Sequence, residues 1–169
     1  MKPETAVEQL RYQGQAITVL TAGLTEEEAR FKPDPESWSI LEVLNHLVDE
    51  EVLDFRRHLG HTLFTPDERW PEIDPEGWVN ETHYNESQLA ETLQKFKSER
   101  EKSIAWLLGL STPDWDASVS MPWGSLSAGD ILASWLAHDL LHLRQIIALR
   151  YHLTASQCQP YEVTYAGKW

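Results

Sequence analysis

Ser127-Ala128-Gly129-Asp130-Ile131-Leu132-Ala133-Ser134-Trp135-Leu136-Ala137-His138-Asp139-Leu140-Leu141-His142-Leu143-Arg144-Gln145-Ile146-Ile147-Ala148-Leu149 decides the fold. Ser127 with Asp130 three residues on is a helix N-terminal signature. The apolar residues that follow recur at helical spacing on more than one face, so the helix, running to about Leu153, is expected to be the most buried of the chain.

Working back from it, three more helices emerge. Val7, Leu10, Ile17, Leu20 and Leu24 recur at intervals of three, four and seven from Thr5 to Leu24, where Gly23 marks the end. Thr25 before Glu26-Glu27-Glu28 caps a short helical turn that stops ahead of Pro33 and Pro35. Ser39-Ile40-Leu41-Glu42 is a capping box; it opens a second long helix to about Leu59, with its stripe on Leu41, Leu44, Val48, Val52 and Phe55. Asn85 with Gln88 opens a third, reaching Gly109 or Leu110 through a charged middle, Lys95 to Lys102, expected to face solvent. Ser111 to Ser125 reads as a loop, and residues 154–169 as an irregular tail after a helical core of about 5–153.

Four such helices make an all-α four-helix bundle in a single domain over 1–169. The stretch from Gly60 to Tyr84, punctuated by Pro66, Pro71, Pro75 and Gly77, is long enough to cross the bundle. It would return helix three parallel to helix two, which gives up-down-down-up order.

Composition narrows the function. The 169 residues are 41% hydrophobic and 24% charged, as globular chains are, and carry 14 Lys plus Arg against 27 Asp plus Glu. A net charge of −13 excludes the phosphate-tracking surface of a nucleic-acid binder. No apolar run is long enough for a membrane span, and the N-terminus has no signal-peptide core. A single cysteine, Cys158, excludes a CxxC pair or a cysteine metal cage. These features point to a cytoplasmic protein that uses neither nucleic acid nor membrane.

Chemistry concentrates at His138-Asp139-Leu140-Leu141-His142. Two histidines at i and i+4 share one helix face, close enough to hold one divalent ion. The alternative is a pair satisfied by backbone or by Asp139. His46, in the apolar setting Leu44-Asn45-His46-Leu47, is either a satisfied core histidine or a third ligand, since a bundle lets helix two meet the middle of helix four. Three neutral nitrogens would leave coordination positions open for a reactive site.

The run Trp38-Ser39-Ile40-Leu41-Glu42-Val43-Leu44-Asn45-His46-Leu47, the Pro122-Trp123-Gly124 turn, and His138 to Ile146 together resemble the DinB/YfiT-like superfamily. The resemblance implies an up-down-down-up bundle, commonly a homodimer. It also implies a divalent ion, Zn²⁺ or Ni²⁺ foremost with Fe²⁺ as a further candidate, on His46, His138 and His142. Characterised members resemble transferases or isomerases that use an exogenous low-molecular-weight thiol, and others are called metal-dependent hydrolases without a known substrate. The expectation is therefore a metal-dependent enzyme acting on a small molecule, with thiol-dependent S-transfer ahead of hydrolysis. The alternative is a metal-binding, stress-associated protein without turnover.

Glu50, one turn beyond His46, is a candidate base, ligand or hydrogen-bond partner for a ligand. Asp139 would orient a ring or face water, and Gln145, three residues past His142, would reach the bound ligand. Trp123 and Trp135 are candidate cavity walls, Trp135 equally an ordinary core residue. His58, His61 and His83 read as solvated or local contacts, and His152 as a cation near a helix end. A protease reading of HDxxH, with Asp139 as base, is weaker because Asp is one methylene short of Glu and no downstream third ligand follows.

Overall fold

The computed structural model describes residues 3–74, 77–78 and 82–167. Helix α1 is Pro3–Thr21, α2 Glu26–Ala29, α3 Ile40–Asp49, α4 Arg56–Phe64, α5 Leu89–Gly109 and α6 Ala128–Gln157. A π-helical turn, Glu50–Phe55, joins α3 to α4, so residues 40–64 form one continuous rod. Four long helical pieces, α1, the 40–64 rod, α5 and α6, make the bundle.

Three of the four caps read from sequence are present; the fourth, Asn85 with Gln88, is not, since Asn85 lies in a 3₁₀ turn and α5 starts at Leu89 behind Gln88 with no side-chain cap bond. Thr25, Ser39 and Ser127 each accept from the amide three residues on, while Glu28, Glu42 and Asp130 return the bond to the cap. Ser39 also donates to Asn85 Oδ1 at 2.7 Å, tying the start of α3 to the segment before α5. Further along, Thr92 donates to Asn45 at 3.4 Å, Arg100 to Glu51 at 2.7 Å, and Arg56 to Ser103 at 3.1 Å.

The core divides in two. One cluster gathers Val7, Leu10, Phe55, Leu59, Leu107, Leu132 and Trp135, and the other gathers Ile17, Leu41, Leu44, Phe96, Ile146 and Leu149. Between them every long piece turns polar, at Gln13, at Glu50 and Glu51, at Arg100, and at His138, Asp139 and His142. That layer is the site.

Several expectations need correction. The second helix passes Leu59 to Phe64, with Gly60 against Trp106. The presumed loop 111–125 contains a strand pair, β1 Ser118–Met121 and β2 Gly124–Ser127, in antiparallel register with Val119 opposite Leu126. The last helix runs to Gln157 and is not buried throughout, since Leu140 and Leu141 are more than half exposed. Lys95 to Lys102 does not simply face solvent: Phe96 and Arg100 within it are buried. A short 3₁₀ turn, Thr164–Ala166, relieves the irregular tail. Among the described residues no helix is long and apolar enough to cross a membrane.

Candidate metal centre

His46 leaves α3 from a position 5% exposed, and His138 and His142 leave α6 one turn apart to meet it. His138 Nε2 lies 3.4 Å from His46 Nε2 and 3.1 Å from His142 Nε2. One candidate ligand atom from each ring falls within 4.8 Å of the others. A tetrahedral ion with nitrogens at the usual 2.0–2.1 Å sets neighbouring nitrogens about 3.3 Å apart, so these spacings match the edges of such a site.

The electrostatics agree. Burial, then the neighbouring His142 and His138 rings, push the His46 pKa down to about 3. Burial and His142 take His138 down to about 4, and burial lowers His142 against the bond it makes to Gln145. All three are neutral at pH 7 and offer lone pairs. His46 Nδ1 and His138 Nδ1 are buried without a hydrogen-bond partner, whereas His142 Nδ1 lies 2.8 Å from Gln145 Oε1. An amide oxygen only accepts, so the His142 proton sits on Nδ1 and leaves Nε2 free for the centre. Three converging lone pairs repel one another unless a proton or a cation lies between them. The residues fit a divalent ion.

Glu50 is 3% exposed, its Oε1 3.7 Å from His46 Nδ1 and its Oε2 4.0 Å from His138 Nε2. Burial, then Asp54, raises its pKa to about 9. The π turn that carries Glu50 is a local widening of the kind found often at functional sites. Phe55 closes one side, its ring 5.1 Å from His138, and Trp38 another, edge-on to His46 at 5.1 Å. A cleft of about 720 Å³ opens against the centre, with Trp38, His142 and Gln145 in its wall.

Other candidates lie elsewhere. Asp139 neither orients a histidine ring nor faces water: it is 1% exposed, and Arg100 donates to both its oxygens at 2.6 and 2.9 Å. One residue past His138, it is turned about 100° around α6 toward Arg100, where it cannot serve as a protease-type base. Trp123 is 75% exposed at the hairpin tip and lines no cleft wall at the centre. Trp135 is a core ring stacked on Phe55, its Nε1 donating to Glu51. His58 and His61 are buried, not solvated. His58 bridges Asp54 Oδ1 at 2.7 Å and Pro71 O at 2.8 Å and stacks on Trp70, because residues 65–74 fold back over α4. His83 is exposed near Glu86, and His152, inside α6, lines the cleft.

Arg100, Glu51, Asp54 and Trp38 have functional surroundings that were not singled out from sequence. For Arg100 a signal existed: Phe96, Arg100, Ser103 and Leu107 fall at spacings of four, three and four, one buried stripe.

A bundle with a three-histidine cluster in its polar mid-layer defines a metal-site helical-bundle class, and the family comparison makes it specific. The DinB superfamily model matches residues 9–146, and the chain belongs to that superfamily. Its fold is shared with YfiT from Bacillus subtilis, "a probable metal-dependent hydrolase with an unusual four-helix bundle topology", at TM-score 0.78 and 14% identity over 90% of this chain and 88% of that one. No functionally curated protein matches the sequence.

Proposed function

We propose that this chain is a divalent-metal-dependent enzyme whose ligands are His46, His138 and His142, with Zn²⁺ or Ni²⁺ as first candidates and Fe²⁺ as third. The observation that carries the reading is the spacing of the Nε2 atoms at an open cleft, with His142 in the cleft wall. A closed centre would instead suit a protein that only stores or senses metal. When bound, the ion supplies Lewis acidity and lowers the pKa of a water or thiol that it holds.

The chain supplies the rest. Gln145 fixes the tautomer and plane of His142. Glu50 stands beside the histidines with its carboxyl held toward the neutral form by burial and Asp54; a cation on the histidines would lower its pKa, and only then would it serve as a proton acceptor for an arriving group. Trp38 and Phe55 exclude water from two sides.

Hydrolysis of a small molecule is the leading reaction, as the description of YfiT also suggests. Thiol-dependent S-transfer is the second reading. Cys158, the only cysteine, is exposed at the end of α6, so the thiol would be exogenous.

Metal per chain, measured on wild type, His46→Ala and His142→Ala after loading with Zn²⁺ or Ni²⁺, tests the centre. About one ion in the wild type and little in the variants is expected for a three-nitrogen site. Full retention in both variants overturns the ligand set. Screening small esters, amides and electrophiles with and without added thiol then separates the reactions.

The same reading takes residues 1–169 as one domain in up-down-down-up order. Supporting it, the bonded pairs Ser39–Asn85, Asn45–Thr92, Glu51–Arg100 and Arg56–Ser103 advance together along both helices. A homodimer is supported by the apolar face of α1 and α6, where Val19, Leu140 and Ile147 are exposed. A cytoplasmic location accords with the single cysteine.

A further inference from the structure

The cleft that His142 lines is acidic on its outer wall. Its outer wall is the segment before α3, with Asp34, Glu36, Ser37 and Trp38; its inner wall is α6, with His142, Gln145 and His152. Among the described residues no Lys or Arg lines it, and His152 is the only lining residue able to carry positive charge besides the centre's own His142.

Asp34 is not a loose surface acid. Its Oδ1 accepts from the amides of Glu36 at 3.0 Å and Ser37 at 2.9 Å, and its Oδ2 accepts from Ser37 Oγ at 2.6 Å. These bonds hold the carboxylate ionised, with its pKa below the ordinary value. The turn they fix also sets the entry of the chain into Trp38 and the Ser39 cap. Trp38, half-buried and edge-on to His46 at 5.1 Å, shares the cleft wall with the two carboxylates and with His142.

A rigid carboxylate, a second one two residues on, and an indole wall form the usual recognition set for an ammonium group: charge attraction outside, cation–π contact inside. The same set opposes an anion. A substrate or thiol bearing free carboxylates would need a compensating Lys or Arg, and the described residues of the cleft provide none.

We propose that the cleft selects a small cationic substrate, an amine or quaternary ammonium compound, with its charged end among Asp34, Glu36 and Trp38 and its reacting group toward His142. The proposal rests on the metal-enzyme reading above and adds the substrate class. It also ranks the thiols of the second reading, setting those with several carboxylates below those carrying a net positive charge.

The test uses the full chain loaded with Zn²⁺ and two hydroxamates that share a metal-seeking head: 4-aminobutanohydroxamic acid, with a cationic tail, and succinic monohydroxamic acid, with an anionic one. Titration calorimetry at low salt should show the cationic probe binding about tenfold more tightly, a preference that shrinks as salt screens the charges. In the Asp34→Asn/Glu36→Gln variant the ratio should fall to about twofold, with the melting temperature reported alongside. Glu36→Gln alone, an exposed change that leaves the Asp34 turn intact, should fall between the two. Equal affinities, or tighter binding of the anionic probe, overturn the proposal. Failure of both probes on protein that holds one zinc per chain overturns the open-cleft reading and this proposal together. Failure to take up zinc overturns the metal-site reading, and the proposal with it, and elemental analysis shows that before either probe is added.

Discussion

Two buried polar groups lie back to back in the middle of this bundle, built from adjacent residues of the same two helices. Glu50 and His138 face the histidine centre; Glu51 and Asp139, each one residue on, face Arg100. The Arg100 side is compensated. Its guanidinium donates to Glu51, to both oxygens of Asp139 and to the Leu10 carbonyl. Burial works against the charge on Arg100, and the two carboxylates outweigh it, so its pKa stands above the ordinary value. The histidine side has no such partner. Two ring nitrogens are unbonded, and a carboxyl beside them is held toward its neutral form by burial. The Arg100 side has its cation in place, even though Glu51 Oε2 is unbonded and burial raises the Glu51 pKa, while the histidine side has donors arranged for a cation that the chain does not supply.

The largest effect should come from breaking the Arg100 side. Arg100→Met leaves Glu51 and Asp139 buried and unpaired, a loss of about 3–5 kcal/mol for removing one partner of a buried ion pair. Urea denaturation of the metal-free protein measures it. A loss under 1 kcal/mol would mean that the carboxylates take up protons or water cheaply, and the contrast between the two sides would collapse.

The histidine side should behave in the opposite way. His46→Leu removes a polar ring that has no partner on Nδ1, so the metal-free protein should keep its stability or gain. What it should lose is stabilisation by metal: Zn²⁺ at a hundred times its dissociation constant adds about 2.7 kcal/mol to a protein that binds it only when folded. The pH dependence of the metal-free protein carries the same signature. His46, His138 and His142 have native pKa values below the ordinary 6.5, so as pH falls below 6.5 the unfolded chain takes protons that the native state refuses. Stability should therefore fall from pH 6.5 toward 4. Glu50 acts with the reverse sign. Its native pKa of about 9 stands above the ordinary 4.5, so its contribution is full below 4.5 and is lost as pH rises through 9. Denaturation midpoints between pH 4 and 9 should show a maximum near 6.5. His46→Leu should soften the acid limb, and Glu50→Gln should soften the alkaline one, to which Asp49 and Glu51, also raised by burial, add in the same sense.

The contrast was half legible in the sequence. His138 and His142 are an i, i+4 pair, a purely local relation, and the capping boxes that place Ser39 and Ser127 are equally local. His46 needed the order of three motifs along the chain to join them. Arg100 was hidden by its neighbours: in Lys95-Phe96-Lys97-Ser98-Glu99-Arg100-Glu101-Lys102 the charge density reads as a solvated face, although Phe96 and Arg100 share the buried stripe. Asp139 depends on Arg100: with that partner hidden, its sequence offers only a ring to orient or water to face, and the structure shows neither. The burial of His58 and His61 was not legible, because it depends on Trp70 returning from another part of the chain. The β1–β2 hairpin was missed because Pro122-Trp123 is not one of the Asn-Gly or Asp-Gly turns that announce a tight hairpin.

The smallest effect is the sharpest test of the asymmetry within the histidine side itself. Of the three rings, only His142 has its Nδ1 bonded, to Gln145. If that bond sets the tautomer that aims Nε2 at the ion, Gln145→Leu should weaken Zn²⁺ binding about tenfold, the low end for losing the partner of a histidine ligand. Metal-free stability should hardly move, because Gln145 is only partly buried and leucine is as good a helix former as glutamine. Gln145→Glu, which keeps an acceptor at Nδ1 and adds charge, should restore the affinity or exceed it. Competition with a chelating dye reads all three proteins. Equal affinities in wild type and the leucine variant would mean that converging lone pairs alone hold the ion, and that Gln145 serves the cleft rather than the centre.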